Sequence, residues 1–239
     1  MVFAYIKIIR NNHCKERIKM GKFIAIDGLD GSGKGTQSEK LVEYLKSQGK
    51  KVRVLSFPVY ENESSTFVKM YLEGKLGDKP SDTNAYAASM FFASDRYISY
   101  ATDWKRDIDD KDTYVIANRY TTANAVHQLS KLPEEEWDRF LAWLWDFEFK
   151  KLGLPEPELV LYLELPPKLS LSLVKSRSKE TGQKMDIHEL DTEYMEKCYD
   201  AALYSCEKLN WNRIQCYDGD VIRTREDIFE EIASIVDKL

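Results

Sequence analysis

Lys34 is the residue around which the chemistry of this chain can be organised. It sits in the run Asp27-Gly28-Leu29-Asp30-Gly31-Ser32-Gly33-Lys34-Gly35-Thr36-Gln37, which follows a short apolar stretch at 23–26 and leads directly into an amphipathic stretch at 38–47. A buried strand, a glycine-rich loop and a helix start, in that order, build an anion cradle. The glycines let successive backbone N–H groups turn inward, and the helix N-terminus adds its partial positive charge. The Lys34 ammonium then reaches the outer phosphates of a nucleotide. Gly28, Leu29, Asp30, Gly31, Ser32, Gly33, Lys34, Gly35 and Thr36 are therefore the expected contacts of a bound nucleoside triphosphate.

The loop departs from the usual pattern in one place. Ser or Thr normally follows the lysine and ligates magnesium, but here Gly35 follows it and Thr36 comes one residue later. A metal would then be held by water, phosphate oxygens and a carboxylate. That arrangement suits a small nucleotide kinase better than a GTPase switch.

Three further segments could choose what receives the phosphate. The first is Ser56-Phe57-Pro58-Val59-Tyr60, and the second is Phe91-Phe92-Ala93-Ser94-Asp95-Arg96-Tyr97. Phe92 and Arg96 are one helical turn apart and share a face, so they could stack a base and donate to its carbonyl. The alternative is a core aromatic beside a surface arginine. The third segment, 114–127, carries Asn118-Arg119-Tyr120 at the end of an apolar run, with Asn124 and His127 following. An arginine at a strand end suits bidentate contact with a phosphate; a structural ion pair is the alternative there.

Together these segments resemble the thymidylate kinase family, in the family's order, from about residue 22 to the C-terminus, including Leu161-Tyr162-Leu163-Glu164 and the stretch 186–189. The resemblance implies transfer of the γ-phosphate of ATP to dTMP, giving dTDP in dTTP biosynthesis, with Mg2+ as cofactor. It implies that Lys34, Asp30, Arg119 and Arg177 are catalytic, with Asp30 holding the metal directly or through water. It also implies a dTMP pocket made by Phe57, Phe92, Arg96, Arg119, Asn124 and His127. Phe92 would stack the thymine, Arg96 would bond its carbonyl, Asn124 would read the N3 edge, and His127 would crowd out a ribose 2′-hydroxyl. A homodimer is implied as well.

Several positions depart from the family pattern. Asn118 stands where Asp is usual, Tyr60 stands where a loop arginine often follows the Phe-Pro pair, and the phosphate loop contains no arginine. The lid, about 176–190, would supply that charge through Arg177, with Lys175, Lys179 and Lys184 nearby; a solvated basic loop is the alternative. The acceptor would be a phosphate monoester whose second pKa is about 6, so no general base is required. The histidines His13, His127 and His188 need not form a catalytic set.

Rival readings each lack a segment. An adenylate-kinase-like enzyme would carry Asp-Gly-Phe-Pro-Arg. A deoxynucleoside kinase needs a base after the second strand, where Glu61 is the nearest carboxylate. A GTP-dependent switch or an ATP-gated binding module is a rival of another class, but this chain lacks both the Asn-Lys-x-Asp segment that reads guanine and a Ser or Thr directly after Lys34.

The elements that must position these residues alternate throughout. Strands are expected at 23–27, 52–57, 114–117, 159–165 and 214–217. Helices are expected at 64–73, from a cap at Ser81 or Asp82 to 103, from about 122, after Pro133, and at 167–175, 192–209 and 225–237. This alternation implies an α/β fold of the P-loop NTPase type: three layers, a parallel sheet of about five strands with helices on both faces, and a small lid. The aromatic stripe Trp137, Phe140, Leu141, Leu144 and Phe147 reads as core or subunit contact.

The chain has 239 residues, 43% hydrophobic and 31% charged, with a net charge of −5, which suits one globular domain. The acidic balance argues against nucleic acid as a partner, and no run reaches the ~20 apolar residues of a membrane span. Cys14, Cys198, Cys206 and Cys216 lack metal or redox spacing and read as buried thiols of a cytoplasmic protein. Residues 1–19 read as an extension ahead of a native start at Met20, leaving 20–239 as the domain; a genuine leader is the alternative.

Overall fold

The computed structural model describes residues 21–181, 188 and 191–239, with 176–181 described as helical backbone alone. Residues 1–19, most of the expected lid and the side chain of Arg177 lie outside the described residues.

β1 (Lys22–Gly28), β2 (Lys51–Ser56), β3 (Thr113–Asn118), β4 (Leu159–Glu164) and β5 (Asn212–Gln215) form one sheet in the order β2-β3-β1-β4-β5. Every pairing in it is parallel. β1 and β4 are almost wholly buried, as expected of strands covered on both faces. Successive side chains along β1 enter different layers. Ile24 and Ile26 pack with Leu41 and Leu45 of α1 (Lys34–Ser47) and with Ile232 and Val236 of α9 (Arg225–Val236). Phe23 and Ala25 face the opposite layer. That layer holds α3 (Ala85–Ser99), α5 (Thr121–His127), α6 (Trp137–Trp145) and α8 (Thr192–Leu209).

Between these lie α2 (Thr66–Leu72), α4 (Lys105–Asp109) and α7 (Pro167–Thr181). Because β1 is flanked by β3 on one side and β4 on the other, the chain crosses over in opposite directions from it. A crevice therefore opens beyond the carboxyl ends of β1 and β3.

The three-layer α/β architecture matches the expectation, and local details differ for identifiable reasons. α3 is capped by Asn84, whose side chain accepts from the Ala87 N–H at 2.9 Å, not by Ser81 or Asp82. Those two belong to a separate 3-10 turn, Pro80–Asp82. The helix after Pro133 begins at Trp137, behind a 3-10 turn of three glutamates, and continues into a π-helical turn, Asp146–Lys151. Its Trp137, Phe140, Leu141 and Leu144 are core residues. The last expected strand stops at Gln215, and Tyr217 pairs instead in a small antiparallel hairpin, β6 (Tyr217–Asp218) with β7 (Val221–Ile222). Cys198, Cys206 and Cys216 are buried and unpaired; Cys14 lies outside the described residues.

Candidate active site

The glycine loop turns directly off β1. Gly28, Gly31 and Gly33 all have positive φ, which only glycine adopts without strain. At Gly31 space is also decisive: a Cβ would stand 2.6 Å from the Ser170 carbonyl oxygen on α7. Gly33 precedes α1, and the first residue of α1 is Lys34. The Lys34 ammonium is largely buried, donates to the Gly28 and Leu29 carbonyls at 2.8 Å each, and stands 3.9 Å from Asp30. Gly28 and Leu29 thus meet the lysine through their carbonyls, and the Leu29 side chain belongs to the core.

The facing wall is the end of β3. Arg119 has φ of 64°, a conformation costing roughly 1–3 kcal/mol for a side-chain-bearing residue, held by its N–H bond to the Ile26 carbonyl at 2.9 Å. Its guanidinium donates to the Asp30 carboxylate and to His127 Nε2, the latter at 3.1 Å. Burial would raise the Asp30 carboxyl, but Arg119 and then Lys34 overrule it and hold it well below the ordinary carboxylate range. Burial likewise opposes the charge on Arg119, whereas Asp30 and Asp27 hold its proton on more tightly. Asp27 itself is fully buried and occupied, accepting from the Gly28 N–H at 2.8 Å and the Thr122 hydroxyl at 2.5 Å.

The deep end of the cleft is built by α3, α5 and the π turn. Phe92 is half-buried and meets Tyr71 edge-on at 6.1 Å. Arg96, one turn on, is 1% exposed, so the surface-arginine alternative is ruled out. It donates to both oxygens of Glu148, at 2.8 and 2.5 Å, and to the Tyr120 carbonyl at 3.3 Å. Asp95 accepts from the Val59 N–H and the Ser64 hydroxyl, which ties the loop after β2 to α3. Phe57, in that loop, packs against Tyr120 at 5.8 Å.

His127 and His188 stack with centroids 5.2 Å apart. Burial first, then Arg119, lowers the His127 pKa to about 3. Burial and the neighbouring His127 also keep His188 neutral. Because an Arg119 N–H is spent on His127 Nε2, the imidazole proton belongs on Nδ1, which faces Cys198 Sγ at 3.5 Å. Tyr71 Oη lies 2.7 Å from His188 Nε2 and accepts from Lys131 at 2.8 Å.

All these walls enclose one cleft of about 1400 Å³. It runs from Gln37 and Arg223 at one end, past Lys34, Asn118 and Arg119, to Phe92, Asn124 and His188 at the other.

The family model for thymidylate kinase matches residues 26–228, most of the chain. The chain belongs to the thymidylate kinase family. A thymidylate kinase of Mycobacterium tuberculosis is 31% identical over 176 residues, covering 73% of this chain and 80% of that one. The Plasmodium falciparum thymidylate kinase is 29% identical, with 92% of each chain covered. The human enzyme is 30% identical over 62% of each. A solved structure of thymidylate kinase from Candida albicans shares the fold, with a TM-score of 0.64 over 92% of both chains at 19% identity.

Of the residues that the thymidylate kinase resemblance singled out, the fold brings Asp30, Lys34, Phe57, Phe92, Arg96, Arg119, Asn124 and His127 to one cleft. Arg177 is carried by α7, but its side chain lies outside the described residues. Glu148, Lys131 and the placement of His188 were missed. Glu148 had a readable signal: with Leu141, Leu144 and Trp145 it continues one apolar helical stripe, and a carboxylate on a core stripe needs buried partners. Nothing in the local sequence marks Lys131 or brings His188 to His127.

Proposed function

We propose how this cleft performs the reaction of its family, phosphorylation of dTMP by ATP. The ATP phosphates lie along Gly28–Thr36, with Lys34 on the outer ones, and the dTMP phosphate faces Arg119. An oxygen of that phosphate, already ionised at pH 7, forms the new bond to the γ-phosphorus as the bond to the β-γ bridging oxygen breaks, giving dTDP and ADP. The protein's task is to hold two anions in line and neutralise them. Lys34 and Arg119 do this from opposite walls, and Arg177 is the expected third cation.

The donor set fits a metal brought in by the nucleotide. Among the described residues no three His, Cys, Asp or Glu gather into a protein cage. Asp30 offers an ionised carboxylate, while the buried Ser32 hydroxyl and Asn118 Oδ1 have no hydrogen-bond partner among the described residues. One carboxylate with neutral oxygens suits a hard cation that keeps its water and phosphate ligands. Bound Mg2+ would neutralise charge on the phosphoryl oxygens.

At the far end Phe92 stacks the thymine, Arg96 and Asn124 meet its polar edge, and His127 lies under the sugar. We also read the protein as a cytoplasmic homodimer, for which the exposed Met90, Tyr97 and Ile98 of α3 supply an apolar face.

The observation that carries this reading is the single cleft joining the glycine loop to Arg119 and to the Phe92–Asn124 end. A coupled assay of ADP release with dTMP, dUMP, AMP, CMP and thymidine in parallel tests it. Thymidine outpacing dTMP would make the protein a nucleoside kinase, and AMP or CMP as the best acceptor would move it to another nucleotide kinase.

A further inference from the structure

We infer that Glu148 is a positioning residue that sets which base edge the acceptor pocket takes, by fixing the orientation of the Asn124 amide and of the Arg96 guanidinium. The inference rests on the dTMP reading above and concerns a side chain outside the set that would touch the nucleotide.

Glu148 is fully buried and accepts four hydrogen bonds. Oε2 takes Arg96 Nε at 2.8 Å and the Thr121 hydroxyl at 2.9 Å; Oε1 takes an Arg96 terminal nitrogen at 2.5 Å and Asn124 Nδ2 at 3.0 Å. Four donors match the lone-pair sites of one ionised carboxylate. The second Asn124 N–H goes to the Ser89 carbonyl at 3.2 Å. Both amide protons are thereby committed, and Oδ1 is the group left to face the cleft that Asn124 lines.

The flipped amide would turn Oδ1 toward the Glu148 carboxylate and the Ser89 carbonyl, two acceptors with no proton between them. The hydrogen-bond chemistry therefore selects one orientation. Arg96 is fixed by the same carboxylate. Three of its five N–H groups are bonded to Glu148 and Tyr120, and Arg96 is among the residues that line the cleft.

The pocket accordingly presents an acceptor, Asn124 Oδ1, next to a donor, the Arg96 guanidinium. An imide edge, with its N3–H and O4, meets both correctly. The cytosine edge, with a bare N3 and an amino group, meets like against like at both positions. In a desolvated pocket such mismatches discriminate strongly, because buried polar groups are left unpaired. Glu148 touches no substrate in this scheme, yet it turns a residue able to read either edge into one that reads only the imide.

The test measures kcat/KM for dTMP, N3-methyl-dTMP and dCMP with wild-type protein, Glu148→Gln and Glu148→Asp, alongside KM for ATP and the melting temperature. Gln returns one N–H to a site of donors; Asp keeps the charge but withdraws it by one methylene. If Glu148→Gln does not fold, Glu148→Asp decides. The expected result is that the preference for dTMP over N3-methyl-dTMP and dCMP falls at least ~10-fold in the variants, with KM for ATP unchanged. A uniform loss on all three substrates, with the ratios preserved, would make Glu148 a packing residue and overturn the inference. Wild-type protein that uses N3-methyl-dTMP as well as dTMP would instead remove Asn124 from the base edge, and no turnover of dTMP at all would refute the underlying dTMP reading.

Discussion

Arg119 and Asp30 bond each other across the floor of the cleft, one from the end of β3 and the other from the glycine loop. The pair is largely buried, so each charge depends on the other while no anion is bound. On the proposed reading, an incoming phosphate would add a second claimant on the guanidinium, and a cation a second claimant on the carboxylate.

Asp30→Asn separates those two claims. It is expected to raise the Mg2+ concentration needed for half-maximal rate by ~10-fold or more without weakening dTMP binding, because Arg119 loses its competitor. Magnesium titrations of rate and calorimetry with dTMP give the two numbers. Weaker dTMP binding at an unaltered magnesium requirement would place Asp30 on the acceptor.

Lys34→Ala removes the ammonium anchored to the Gly28 and Leu29 carbonyls. Turnover is expected to fall ~10³-fold, with circular dichroism and a cooperative melt retained. Near-native turnover would dismiss the role given to the loop.

The stacked imidazoles bear on sugar selection. If His127 lies beneath the 2′-carbon as proposed, His127→Ala opens space for a hydroxyl and is expected to raise kcat/KM for ribo-TMP relative to dTMP by ~10-fold, a modest gain because the hydroxyl finds no new partner. A ratio that stays at the wild-type value would put His127 away from the sugar.

His127 also predicts the direction of acid sensitivity. Its folded pKa, about 3, lies below the ordinary value of 6.5. The unfolded chain therefore takes up the proton first, so the contribution is complete above pH 6.5 and is lost as pH falls toward 3. At pH 5 the loss from this group is about 2 kcal/mol. Denaturant melts of wild type and His127→Gln at pH 7 and pH 5 should show the smaller pH dependence in the variant. Parallel slopes would mean that His127 carries no such linkage.

The sheet was legible because its strands are apolar runs bounded by glycine, proline and charge, and because Phe23–Ala25 and Ile24–Ile26 serve two layers. The glycine loop was legible as a contiguous motif. What escaped was what the fold assembles from distant segments. His188 reaches His127 across 61 positions, and Lys131 finds Tyr71 through a chain reversal that no local spacing encodes. Arg96 was placed correctly on its helix, but its burial follows from Glu148, 52 residues later, and an isolated helix turn gives no hint of that partner. The helix cap at Asn84 was missed for a smaller reason: four capping-competent residues, Ser81, Asp82, Thr83 and Asn84, stand in a row, and the 3-10 turn at Pro80–Asp82 consumes two of them.

Glycines 31 and 35 answer to different pressures. A side chain at 31 would strike the backbone of α7, while one at 35, already in helical conformation, meets nothing within 4 Å. In a library screened only for soluble, folded protein, glycine should persist at 31 and give way at 35 to alanine, the stronger helix former. Only a screen in which growth depends on the enzyme's own activity would hold both. The two positions together would report which kind of selection a population had passed through.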